Sequence, residues 1–189
     1  MDAITSVPQP VNEPVKTYAP GSAERAGLEA ELAAQYAADP VELTAAIGAE
    51  RRLGGGVAFD VTMPSEHGHV LGRAAAANAQ DTTDAIAAAA AAAPAWAELD
   101  FDERAAVFLR AADLLAGPWR NVINAATMLG QGKTVQQAEI DAACELIDFL
   151  RFNVAFAREI HRTQPISSPG VWNRTDYRPL EGFVYAITP

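Results

Sequence analysis

The chain has 189 residues, half of them hydrophobic, with a mean hydropathy of +0.01, a formal net charge of -10 and a pI near 4.7. That balance suits one globular domain or one and a half, and an acidic surface disfavours nucleic acid as a partner. The single cysteine, Cys144, excludes an intrachain disulfide framework. The N-terminus has neither the basic flank nor the apolar core of a signal peptide, and no apolar run reaches membrane-spanning length. A soluble cytoplasmic protein without a membrane partner is expected.

In chain order, four prolines within residues 1–20 predict an extended arm. Ser22 can cap a helix running to about Ala38, with Leu28 and Leu32 one turn apart and Asp39-Pro40 ending it. Val57, Phe59, Val61 and Met63 alternate with Ala58, Asp60 and Thr62, which predicts a strand with one buried face. Gly54 to Gly56 suggest a turn from a short strand around Ile47, and "HVLGRA" (69–74) predicts a further strand. Asp81 or Thr82 is expected to cap an alanine-rich helix that packs closely. Asp100 with Glu103 resembles a capping box for the next helix, which Gly117-Pro118 stops; Val107, Phe108, Ala111, Leu114 and Leu115 form its apolar face. A short helix over 119–129 precedes a long one from about Thr134 to Arg162, with the stripe Ile140, Ala143, Ile147, Leu150, Val154 and Ala157. The run Phe183 to Ile187 reads as a strand covered on both faces.

The stretch "GQGKT" (130–134) invites a phosphate-binding loop. The pattern requires glycine at position 127, where the chain has Thr127, and a preceding strand where a helix is predicted. A glycine-ended helix followed by a new helix start is expected instead. Asp141, Glu145 and Asp148 make a carboxylate row with no histidine at Glu-x-x-His spacing, so a solvated acidic face is preferred to a metal site. His67 and His69 are placed in a solvated turn beside Glu66. Cys144, mid-helix beside the apolar stripe, reads as a buried inert thiol.

Residues 127–157, "TMLGQGKTVQQAEIDAACELIDFLRFNVAFA", with "FDERAAVFLRAADLLAGPWR", "QPIS" and "YRPLEGFVYAITP", resemble the aldehyde dehydrogenase superfamily. Within it they resemble the L-glutamate γ-semialdehyde (1-pyrroline-5-carboxylate) dehydrogenases of proline catabolism. The resemblance implies an α/β chain: the helix-rich N-terminal part of the aldehyde dehydrogenase fold, with short strands and the start of a Rossmann-like dinucleotide-binding domain. It implies an arm and helix over 1–40, an incomplete NAD-binding domain over 41–189, and part of an oligomerisation strand near 171–180.

The same resemblance implies NAD as cofactor, a small-molecule aldehyde as substrate, and a homo-oligomer. The family's nucleophilic cysteine, general base and cofactor loop have no counterpart among these residues, so the chain reads as an N-terminal fragment, inactive alone, with no catalytic residue and no metal ligand of its own. Ile187, Thr188 and Pro189 match the family's cofactor-side strand end, although a strand-end threonine also caps backbone. Glu145 matches a glutamate lining the aldehyde site, and the solvated acidic face stands beside that role. The alternatives are another aldehyde dehydrogenase subfamily, or a non-catalytic helical module for interaction or oligomerisation.

Overall fold

The computed structural model describes residues 7–187. Thr188 and Pro189, two of the three expected cofactor-side residues, lie outside them. The arm leads into α1 (Ala23–Tyr36), whose N-cap is Ser22: its Oγ accepts from the Arg25 N–H at 3.3 Å. Leu28 on α1 joins Tyr18 and Ala125 in one apolar cluster, with Leu32, Met128 and Val135 packed against it.

Five short strands follow: β1 (Val41–Leu43), β2 (Ala45–Ile47), β3 (Glu50–Arg52), β4 (Ala58–Met63) and β5 (Glu66–Ala75). They form a three-stranded sheet in the order β1-β5-β4 and a separate β2–β3 pair. β1 runs parallel to β5, pairing Val41 with Gly72, and β4 runs antiparallel to it, pairing Ala58 with Ala75. The expected alternation in β4 holds only at its end, where Met63 is buried; Val57 and Phe59 are exposed. Register shifts at Val61/Thr62 and Thr62/Met63 break the two-residue period there. β5 is longer than expected and takes His67 and His69 into the strand rather than a turn. The triple glycine is fixed by close approach: a Cβ on Gly54 would sit 2.4 Å from the Ala76 carbonyl oxygen.

The rest is helical: α2 (Ala79–Glu98), α3 (Phe101–Ala116), α4 (Arg120–Gln131), α5 (Val135–Gln137), a π-helical segment (Ala138–Cys144) and α6 (Glu145–Arg162). Asn78, not Asp81 or Thr82, caps α2; Asp81 is the third residue of the box, accepting from the Asn78 N–H at 2.9 Å and the Gly55 N–H at 2.7 Å. Alanine supplies helix propensity but little apolar area, and α2, which continues through Pro94, is exposed along nearly all its length instead of closely packed. On α3 the small residues Ala105 and Ala112 are buried, whereas Val107 and Phe108 remain exposed. α3 lies on α6, and Ala112, Ala143 and Ile147 form the second apolar cluster. The stripe expected on the long helix is buried or half-buried throughout, but that helix is not α-helical from end to end.

Beyond Arg162 no helix or strand forms among the described residues. Residues 171–180 and 183–187 are exposed and lie in no helix or strand, so the strand expected at Phe183 to Ile187 is absent. A strand exists only where a neighbour takes its backbone hydrogen bonds, and none of the described residues does so here.

Candidate functional site

The most heavily engaged polar groups lie where the arm crosses α4 and the π-helical segment. Arg120, the first residue of α4, is 2% exposed, and Glu139, in the π-helical segment, is 0% exposed. Charges survive such burial only when paired and saturated with hydrogen bonds. Arg120 grips Glu139 in bidentate fashion, Nη2 to Oε1 and Nε to Oε2, the latter at 3.2 Å. Its Nη2 also donates to the Pro14 carbonyl at 2.8 Å, and its Nη1 to Glu13 Oε1 at 2.5 Å. Glu13 Oε2 accepts from Arg151 Nη1 at 2.7 Å, so two carboxylates meet two guanidinium groups.

Glu139 takes four further donors: the Lys16 N–H at 2.7 Å, the Tyr18 hydroxyl at 2.8 Å, Asn124 Nδ2 at 2.9 Å and, more distantly, Cys144 Sγ at 3.8 Å. Burial alone would push its carboxyl up, but Arg120 and these donors outweigh it and hold the group at about 2. Burial and the bond to Glu139 push the Tyr18 hydroxyl up to about 12. Burial, reinforced by the Glu139 charge, pushes the Cys144 thiol up to about 11. Cys144 is thus a buried thiol kept protonated, as its sequence position suggests, and does not fit a nucleophile's role. Tyr18 holds φ at +51°, which a residue with a Cβ adopts at a cost of about 1–2 kcal/mol. Its ring packs on Leu28 and Ala125 while its hydroxyl reaches Glu139, and both contacts offset that strain.

Glu145 stands where the π-helical segment ends. Its backbone N–H donates to the Ile140 carbonyl, five residues back rather than four. The extra residue in that turn rotates all that follows by about 100° relative to a continuous α-helix. Neighbouring carboxylates are committed. Asp141 pairs with Lys133 at 2.7 Å, and Asp148 accepts from Asn12 Nδ2 and from the Glu13 N–H, each at 2.7 Å. Glu145 is exposed and makes no side-chain hydrogen bond or ion pair with the described residues. The expected acidic row is therefore three carboxylates in three different states.

At the "GQGKT" stretch, Gly132 takes φ +65° as the C-cap of α4, and Thr134 opens the next helix, its Oγ1 accepting from the Gln137 N–H at 3.4 Å. The glycine-ended helix is what forms. His69 stacks on Tyr36 at 4.2 Å, and Glu66 accepts from the Tyr36 hydroxyl at 2.9 Å. Among the described residues no group of three or more His, Cys, Asp or Glu is arranged to hold a metal ion. Ile187 is 82% exposed and belongs to no helix or strand.

The Arg120–Glu139 centre was not anticipated from sequence. Its signal is a carboxylate on the apolar stripe: Glu139 lies four residues before Ala143 and eight before Ile147, where a charge needs a buried partner.

Residues 54–189 match the model of the aldehyde dehydrogenase family. The chain belongs to the aldehyde dehydrogenase family. Its helices and short strands match the N-terminal part of the aldehyde dehydrogenase fold. It is 44% identical over 188 residues to the delta-1-pyrroline-5-carboxylate dehydrogenase of Agaricus bisporus, covering 99% of this chain and 34% of that protein. To the human mitochondrial delta-1-pyrroline-5-carboxylate dehydrogenase it is 45% identical, covering 98% of this chain and 32% of the relative. The crystal structure of the Mycobacterium tuberculosis delta-pyrroline-5-carboxylate dehydrogenase bound with NAD matches with a TM-score of 0.97 and 62% identity, over 100% of this chain and 35% of that one. The chain thus spans about a third of the length of the aldehyde dehydrogenases it matches.

Proposed function

We propose that this chain is the N-terminal part of an NAD-dependent dehydrogenase that oxidises L-glutamate γ-semialdehyde, formed from 1-pyrroline-5-carboxylate, to L-glutamate in proline catabolism. The observation that carries this reading is similarity along nearly the whole chain to dehydrogenases of that name, including 62% identity to one whose crystal structure contains NAD. In the reaction, NAD when bound accepts the aldehyde hydride and water supplies the second carboxylate oxygen.

Glu145 is the substrate-side residue in this reading. An exposed carboxylate with no partner among the described residues is free to pair with the ammonium group of an amino-acid aldehyde. Ile187, Thr188 and Pro189 are assigned to the cofactor side, residues 1–40 to an arm and helix, and 41–189 to a dinucleotide-binding domain that other sequence completes. The stretch near 171–180 is assigned to an oligomerisation strand of a homo-oligomer. No helix among the described residues is long and apolar enough to cross a membrane. A cytoplasmic location is proposed from the higher identity to a bacterial relative than to the mitochondrial ones.

The test is the complete polypeptide carrying these residues, supplied with 1-pyrroline-5-carboxylate and NAD. NADH formation with L-glutamate as product is expected. Turnover of simple aldehydes without the semialdehyde would transfer the chain to another aldehyde dehydrogenase subfamily. No turnover of any aldehyde would favour a helical interaction module.

A further inference from the structure

We infer that arm residues 12–18 are a strap that holds the π-helical turn closed and so positions Glu145; this rests on Glu145 being the substrate-side residue. The strap is fastened on both sides of that residue. Before it, the Lys16 N–H and the Tyr18 hydroxyl bind Glu139, the second residue of the π-helical segment. After it, the Asn12 side chain and the Glu13 N–H bind Asp148, and the Glu13 carboxylate binds Arg151. Arg120 ties the two halves together, since it donates to Glu139, to Glu13 and to the Pro14 carbonyl.

A π turn makes poorer use of its backbone than an α turn and persists where outside contacts hold it. Here the arm and Arg120 supply most of the polar contacts to Glu139, beside Asn124 on the same carboxylate, Lys133 on Asp141 and the packing of Ala143 against Ala112. Losing the extra residue from that turn would swing Glu145 by about 100° around the helix axis. The strained φ of Tyr18 lies within the strap, at the residue whose hydroxyl reaches Glu139. The Glu145 side chain has no hydrogen bond or ion pair among the described residues that would fix its direction, so its aim depends on the turn beneath it.

Glu139 and Tyr18 are therefore positioning residues. The test uses the complete enzyme and two variants, Glu139→Gln and Tyr18→Phe, the second keeping the ring in its apolar cluster and removing only the hydroxyl. Each is measured for kcat and KM on the semialdehyde and on propanal, and for amide exchange at Glu145. In each variant KM for the semialdehyde is expected to rise on the order of tenfold or more, KM for propanal to stay within about twofold, and the Glu145 amide to exchange faster. Combining either change with Glu145→Ala adds no further loss of selectivity. Equal losses on both aldehydes, or an unchanged Glu145 amide, would reduce the strap to general stabilisation and overturn the inference alone. A wild-type enzyme that does not prefer the semialdehyde would overturn the proposed function and the strap's role together.

Discussion

Glu139 keeps its charge against burial because Arg120, the Lys16 N–H, Tyr18 and Asn124 together outweigh it, and that dependence has a sign. Its folded value of about 2 lies below the ordinary 4.5, so ionised Glu139 stabilises the fold above the ordinary value. The contribution is lost as pH falls from about 4.5 towards 2. The urea midpoint of the intact protein should therefore drop across that window, and Glu139→Gln should flatten the drop. Arg120→Ala leaves a buried carboxylate uncompensated and is expected to cost about 3–5 kcal/mol. Arg25→Ala, which removes an exposed i,i+4 pair with Glu29, is expected to cost about 0–1 kcal/mol in the same denaturation measurement. Cys144, buried and with its thiol pushed up to about 11, should react with alkylating reagents at neutral pH only after denaturation.

At the scale of elements, local chemistry decided what could be read from sequence. The Ser22 cap, the Asp100 N–H bonded to Glu103 at 3.2 Å, and the Gly132 helix end are each made by residues within four positions of one another. Gly132→Ala forces a Cβ into the left-handed region and is expected to lower stability by about 1–2 kcal/mol. Thr134→Ala removes a cap for about 1 kcal/mol. Both are checked by thermal melts of the intact protein. The features that escaped depend on distant partners. The π turn requires an arm that is more than a hundred positions away, and the apolar periodicity of α6 carries no trace of one inserted residue. The alanine run in α2 encodes helicity but not what covers it. Phe183 to Ile187 encode an appetite for burial that becomes a strand only when neighbouring strands are present. Family resemblance alone singles out Glu145, whereas Glu139 betrays itself only as a charge on the apolar stripe, and its buried partner Arg120 lies 19 positions away.

Across the whole molecule, apolar surface remains uncovered. A groove of about 400 Å3 opens between α2, α3 and α6, lined by Trp96, Phe101, Phe108, Phe149, Val154 and His161. Beyond α6, Trp172 is 80% and Leu180 86% exposed, and Val184 and Tyr185 are exposed as well. Each large apolar side chain gains about 1.5–3 kcal/mol on burial, so several together rival the 5–15 kcal/mol that a domain has in hand. Residues 1–189 alone are expected to self-associate in light scattering and to show no semialdehyde oxidation. Supplying the remaining two thirds of an aldehyde dehydrogenase should restore a dispersed, active protein. The measurement that bears most directly on the proposed role of this segment is the effect of Glu145→Ala in the complete enzyme. A carboxylate that pairs with the substrate ammonium when partly desolvated is worth about 1–3 kcal/mol. The variant should therefore lose about 5-fold to 150-fold in kcat/KM on L-glutamate γ-semialdehyde while changing little on propanal. Equal loss on both aldehydes, or no loss on either, would return Glu145 to a solvated acidic surface and contradict the account.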